Sequence, residues 1–84
     1  MTREQIEADI RSYILEEFLP GEDAANLQRD TPLISSGVLD SLATLKLVSF
    51  LEESFRVELA AHEVGEHNLD SIARMGEFIT ARSG

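Results

Sequence analysis

The chain contains no cysteine among its 84 residues. It can therefore have no disulfide framework and no thiolate metal site, which fits a reducing compartment without requiring one. No apolar run approaches the ~18 residues that a membrane-spanning helix needs. The N-terminal segment has no apolar stretch behind a basic one, so we expect no signal peptide. These absences predict a soluble, cytoplasmic protein.

Basic residues are scarce, with 7 Lys and Arg against 16 Asp and Glu and a formal net charge of −9. A nucleic-acid binder needs a basic face that displaces phosphate counterions, and this composition excludes one. Anionic membrane surfaces are disfavoured for the same reason. The acidity suits protein partners with basic patches, or it only keeps a small protein soluble.

Hydrophobic residues make up 43% of the chain, which is enough for a packed interior. The length predicts one domain that covers residues 1–84, with a small core and modest stability. We find no repeats, no low-complexity tracts and no linker.

An amphipathic pattern predicts a first helix over residues 2 to about 19. Thr2 and Gln5 match a capping box at its start, and Pro20 followed by Gly21 ends it. The apolar stripe is Ile6, Ile10, Ile14 and Phe18, with Tyr13 beside it.

Residues 20–40 show no sustained period, and we expect an ordered loop there that includes one helical turn. A loop of ~20 residues is longer than a compact domain usually tolerates without a purpose. Its apolar residues are expected to pin it to the core: Leu27, Leu33, Ile34, Val38 and Leu39.

A second helix is predicted over residues 41–55, with Asp40 as its N-cap. Its core face is Leu47, Leu51 and Phe55, with Val48 alongside. A short segment over residues 60–66 follows. The last helix is expected to open at residues 68–70, with Asp70 as its cap and with Ile72, Met75, Ile79 and Phe78 facing inwards. The predicted fold is all-α, a small antiparallel bundle of three main helices plus one short helix.

Ser41 is the main candidate functional residue, because the start of a helix offers free N–H groups and the positive end of the helix dipole. A phosphate ester attached there would be stabilised. Asp40 would repel that phosphate, so its part would be capping or recognition by an enzyme. The alternative is that both residues only cap the helix.

Two other patterns resemble functional sites, one a modified serine and one a zinc site. Ser71 lies in Asp-Ser-Ile, which repeats the letters around Ser41 but lacks the preceding glycine, so we do not expect modification there. His62 and His67 lie five residues apart with a glycine between them, whereas the zinc motif H-E-x-x-H needs four. We expect two solvated histidines and no metal; a small metal hydrolase stays open as a further hypothesis.

Residues 33–42 read Leu-Ile-Ser-Ser-Gly-Val-Leu-Asp-Ser-Leu, and residues 47–55 read Leu-Val-Ser-Phe-Leu-Glu-Glu-Ser-Phe. These stretches resemble the acyl and peptidyl carrier proteins. The family's mark is Gly-x-x-Asp-Ser-Leu ahead of an amphipathic helix that ends in acidic residues and a Phe. The resemblance covers nearly the whole chain, since length, acidity and helix order agree with it.

The resemblance implies that Ser41 carries 4′-phosphopantetheine, attached covalently from coenzyme A. It implies a carrier that catalyses nothing and holds acyl or aminoacyl intermediates as thioesters. The implied partners are a phosphopantetheinyl transferase, a loading enzyme (an adenylating ligase or an acyltransferase), and downstream synthase or tailoring enzymes. A monomer is expected, and the identity of the cargo stays open.

Partner recognition is expected on the second helix. The candidate residues are Asp40, Leu42, Leu45, Lys46, Glu52 and Glu53. Lys46 departs from the carriers of fatty acid synthesis, which usually have an acidic residue there, and this favours a free-standing carrier of a polyketide or nonribosomal peptide pathway. Glu52 and Glu53 could equally form a solvated helix face. The alternative function is an unmodified acidic helical adaptor that binds basic partner proteins.

Overall fold

The computed structural model describes residues 2–83, and every regular element in that range is helical. In chain order they are α1 (Arg3–Glu17), a 3₁₀ turn (Ala24–Asn26), α2 (Ser41–Phe55), a second 3₁₀ turn (Ala61–Glu63), α3 (Glu66–Leu69) and α4 (Ile72–Ser83). The all-α fold class is confirmed. No helix within residues 2–83 is long and apolar enough to cross a membrane.

Helix α1 forms where its apolar stripe predicts it. The Thr2 hydroxyl accepts a hydrogen bond from the Gln5 N–H at 3.2 Å, which caps the first turn. The three isoleucines of the stripe are buried, and Phe18 packs half-buried against them at the C-terminal end. The N–H groups of Phe18 and Leu19 both reach the Ile14 carbonyl, and this closes the helix just before Pro20.

Helix α2 has the bounds that the sequence predicts. The Asp40 carboxylate accepts a hydrogen bond from the Ala43 N–H at 2.8 Å, so Asp40 is its N-cap. Leu47 and Leu51 are fully buried, whereas Phe55 is half-buried. The helix ends at Arg56, whose φ of 55° lies in the left-handed region that stops many helices.

The long loop between α1 and α2 is ordered and contains the expected helical turn. Leu27, Leu33 and Leu39 are buried in the core and Ile34 is half-buried. The prediction was wrong for Val38, which is 39% exposed although the next residue, Leu39, is buried.

Helix α4 begins at Ile72, and the predicted cap is wrong. The Ser71 hydroxyl, not Asp70, accepts a hydrogen bond from the Arg74 N–H at 3.2 Å and so caps the helix. Asp70 instead ends α3, and its carboxylate points to the loop. The core face of α4 is as predicted, with Ile72, Met75 and Ile79 fully buried and Phe78 half-buried.

A buried carboxylate joins α1, α4 and the loop. Glu7 is 8% exposed and lies so close to Gly76 that a Cβ there would be 2.8 Å from Glu7 Cγ. Its oxygens accept hydrogen bonds from Arg29 at 2.8 and 3.0 Å and from Arg3 at 3.2 Å. The Arg29 hydrogen bond is the main cause that holds the pKa of Glu7 below its ordinary value, against the opposing effect of burial.

Candidate functional site

Ser41 is the first residue of α2 and its side chain is exposed. Within residues 2–83 its hydroxyl forms no hydrogen bond. Its neighbour Asp40 caps the helix instead. The Asp40 carboxylate accepts a hydrogen bond from the Ala43 N–H, and the Asp40 carbonyl accepts one from the Thr44 hydroxyl, both at 2.8 Å. The Ser41 hydroxyl is therefore free to react with a group from outside.

The large hydrophobic side chains that the described part of the chain exposes all lie within four residues of Ser41. They are Val38 at 39%, Leu42 at 64% and Leu45 at 62%. Side chains of this size cost free energy in water, so such a patch usually marks a surface that a partner covers. We call these three residues the apolar patch.

A groove of about 590 Å³ runs beside Ser41. We call it the Ser41 groove. Most of its wall is apolar, from the loop, α2 and the segment before α3: Ile34, Leu39, Leu45 and Val64. Gly37, Gly65 and the polar residues Asp40, Ser41 and Thr44 complete the lining. The groove is open to solvent, and Ser41 lies in its wall.

The charged residues of α2 differ in their exposure and in whether their side chains are already hydrogen-bonded. Lys46 and Glu53 are exposed and form no ion pair or side-chain hydrogen bond within residues 2–83. Glu52 is half-buried, and its carboxylate accepts a hydrogen bond from the Leu59 N–H at 2.9 Å. Glu52 thus holds the segment after α2, and the sequence did not indicate this contact. Of the charged side chains of α2, Lys46 and Glu53 are the ones that remain available to a partner.

Sequence reasoning missed the importance of Asp70. One of its oxygens accepts hydrogen bonds from the N–H groups of Leu33, Ile34 and Ser35, and the other accepts from the Ser35 hydroxyl. These bonds, the Ser35 N–H first, hold the pKa of Asp70 below its ordinary value despite partial burial. No local pattern could reveal this, because the partners are 35 to 37 residues apart in sequence.

Neither histidine lines the Ser41 groove. His62 lies in the second 3₁₀ turn and His67 in α3, and both are exposed. Within residues 2–83, no three His, Asp or Glu side chains come together as a metal site would need.

No family model matches the chain. Over 70 residues it is 30% identical to "Probable acyl carrier protein PigG" of Serratia sp. (strain ATCC 39006), which covers 83% of this chain and 79% of that protein. Over 75 residues it is 31% identical to the D-alanyl carrier protein of Streptococcus sanguinis (strain SK36), which covers 89% of this chain and 91% of that protein.

A small helical bundle with a free serine at the start of its second helix fits the class of carrier proteins. The similarity to the two relatives shows the family, and the chain belongs to the acyl carrier proteins and their D-alanyl carrier relatives. It is accordingly a carrier rather than an enzyme.

Proposed function

We propose that this carrier is modified at Ser41 with 4′-phosphopantetheine from coenzyme A and serves biosynthesis of the polyketide or nonribosomal peptide type. The observation that carries the proposal is the free Ser41 hydroxyl, set at the helix start within four residues of each member of the apolar patch. A reactive hydroxyl and a docking surface are the two things that a modification site must offer.

The residues around Ser41 fit this group. The first turn of α2 stabilises an attached phosphate, since its N–H groups have no helical partners and carry the positive end of the dipole. The negative charge of Asp40 opposes the phosphate, but its carboxylate is already engaged by the Ala43 N–H. When bound, the group supplies a thiol on a flexible arm, which holds an acyl or aminoacyl group as a thioester. The Ser41 groove gives that arm an apolar wall.

Helix α2 presents one continuous face for docking. Leu45 and Lys46 lie three and four residues after Leu42, and Ser49 lies four and three residues after them. Glu53 follows Ser49 by four residues, so all five share a side of the helix. The face is apolar beside Ser41, positive at Lys46 and negative at Glu53. A partner must present complementary apolar, negative and positive groups in the same sequence along α2, and this fixes its orientation on the helix.

Three kinds of enzyme would use this face: the phosphopantetheinyl transferase, a loading enzyme (an adenylating ligase or an acyltransferase), and downstream synthase or tailoring enzymes. Lys46 supports a partner set distinct from that of fatty acid synthesis, whose carriers usually have an acidic residue at this position. We place these encounters in the cytoplasm.

The experiment is intact-mass measurement after incubation with coenzyme A and a broad-specificity phosphopantetheinyl transferase. The wild-type protein should gain the mass of one phosphopantetheine group, and Ser41→Ala should gain nothing. Ser49→Ala is the matched control, because Ser49 is an exposed serine on the same helix, and it should be modified like the wild type.

A wild-type protein that gains no mass, or a Ser41→Ala protein that does, would defeat the proposal. An unmodified protein that stays bound to a basic partner through gel filtration would favour the adaptor instead.

A further inference from the structure

The carboxylate of Asp70 is fastened to one stretch of the loop by four hydrogen bonds. Oδ1 accepts from the N–H groups of Leu33 at 3.2 Å, Ile34 at 2.8 Å and Ser35 at 2.8 Å. Oδ2 accepts from the Ser35 hydroxyl at 2.9 Å. In addition, the Asp70 carbonyl accepts from the Leu33 N–H at 2.7 Å. Within residues 2–83 Asp70 forms no ion pair, and the hydrogen bonds to its carboxylate all come from this loop.

The residues on either side of Asp70 in the sequence are fixed by core packing and by the start of α4. Leu69 before it and Ile72 after it are both fully buried, and Ser71 caps α4. The carboxylate is therefore held by the packed core, while the loop that it binds is exposed at Ser35. Hydrogen bonds to a charged acceptor are stronger than neutral ones, so this contact is suited to order a loop.

The ordered stretch leads directly to Ser41. The Leu39 N–H donates to the Leu33 carbonyl at 2.9 Å and so closes the loop into a ring. Inside the ring the Gly37 N–H donates to the Ile34 carbonyl at 3.1 Å, with Gly37 at a φ of 87° that glycine adopts without strain. Only Asp40 separates this ring from the serine.

We infer that Asp70 is a positioning residue for modification: it holds residues 33–39, and with them Val38 and the approach to Ser41, in the arrangement that the phosphopantetheinyl transferase binds. The inference rests on the proposed function and deepens it. Without the carboxylate, the Ile34 and Ser35 N–H groups lose their acceptor, while the Leu33 N–H keeps the Asp70 carbonyl. The loop then spreads over other conformations from Ile34 onwards. Apparent affinity for the enzyme then falls in proportion to the fraction of molecules that keep the binding arrangement.

The first experiment reads the loop itself. Amide hydrogen exchange of Ile34 and Ser35 should be slow in the wild type and fast in Asp70→Ala. Exchange in α1 should accelerate less, by the loss of global stability alone. Asp70→Asn keeps one carbonyl-type oxygen and should fall between the two. Exchange that is equally slow in Asp70→Ala would overturn the anchoring.

The second experiment is transferase kinetics with the carrier as the varied substrate. The KM for Asp70→Ala should rise about tenfold with kcat little changed, because only the molecules whose loop keeps the binding arrangement can dock. Asp70→Asn should recover part of the difference. Ile14→Val is the control, because it shortens a core side chain of α1 and removes none of the hydrogen bonds of Asp70. It should leave KM as it is.

A modified wild type with equal KM in Asp70→Ala overturns this inference alone. A KM that rises as much in Ile14→Val also overturns it, because stability in general would then be the cause. A wild type that cannot be modified at all removes the proposed function, and the inference with it.

Discussion

At the scale of single residues, two carboxylates have pKa values below their ordinary range, each through different donors. Glu7 is bound by arginines and Asp70 chiefly by backbone N–H groups. A carboxyl whose pKa is lower in the folded than in the unfolded state stabilises the fold above its unfolded pKa. That stability is lost as the pH falls through the folded pKa.

The first prediction concerns acid unfolding of Asp70→Ala. The free energy of unfolding of the wild type should fall as the pH drops below about 4, the unfolded pKa of a carboxyl. Asp70→Ala should be about 1–3 kcal/mol less stable at neutral pH, because it leaves the Ile34 and Ser35 N–H groups without their acceptor. It should also lose less stability than the wild type over the acid range.

Urea unfolding followed by circular dichroism across that range measures both effects. Glu16→Gln, at an exposed acidic position of α1, is the control and should unfold like the wild type. An acid dependence of Asp70→Ala as steep as that of the wild type would contradict the account.

The second prediction concerns Gly76→Ala. Alanine is favoured over glycine inside a helix by about 1 kcal/mol, yet this substitution should lower the melting temperature. The new Cβ would lie 2.8 Å from Glu7 Cγ, and Glu7 cannot yield freely because Arg29 and Arg3 hold its carboxylate.

Thermal unfolding tests it, with Thr80→Ala at an exposed position of the same helix as a near-neutral comparison. A melting temperature of Gly76→Ala at or above that of the wild type would show that α1 and α4 can move apart at no cost.

At this scale the sequence could predict contacts between residues that are close in sequence, such as helix caps. Thr2 and Asp40 cap helices that begin one residue later, and both caps were predicted. Asp70 was misassigned because its position before a helix fits a cap equally well. The loop that it binds comes near only through the fold, so no spacing in the sequence points to it.

At the scale of elements, α2 has two faces with opposite tasks. Leu47 and Leu51 are fully buried and join the helix to the core, whereas Leu42 and Leu45 are more than 60% exposed beside Ser41. The buried and the exposed leucines thus lie on sides of the helix about half a turn apart.

The third prediction follows from this separation. Leu45→Ala should change the free energy of unfolding by less than about 0.5 kcal/mol, as exposed substitutions do, while it raises the transferase KM. Leu47→Ala should cost roughly 2–5 kcal/mol, since it opens a cavity in the core. Denaturant unfolding and the modification rate are measured on the same preparations. The two-face account fails if Leu45→Ala unfolds as easily as Leu47→Ala, or if it is modified with unaltered KM.

Periodic patterns predicted the helices well, and the irregular segments less so. The bounds of α2 were predicted to the residue, because the cap, the stripe and the acidic end all agree. The loop has no periodic pattern, so its apolar residues could not be sorted in advance into buried Leu39 and exposed Val38. The Glu52 contact with Leu59 was equally hidden, since it depends on how the chain turns back after α2.

At the scale of the whole molecule, charge is the dominant feature. The net charge of −9 makes acidic groups repel one another across a small surface. Ion pairs offset this at a few places that join distant segments, such as Arg29 with Glu7 and Arg82 with Glu63.

The fourth prediction is that added salt stabilises the protein. Screening should weaken the general repulsion more than it weakens these few pairs, so the melting temperature should rise from low to physiological ionic strength. Divalent cations should act in the same direction. A melting temperature that stays flat or falls over this range would show that the ion pairs outweigh the repulsion.

The central claim is that Ser41 bears the arm that makes this chain a carrier. Fragmentation mass spectrometry of the protein purified from cells that produce it tests this most directly. The account predicts phosphopantetheine on the peptide that contains Ser41, with a fragment series that assigns it to that residue. An unmodified Ser41, or the group on any other residue, would contradict the account.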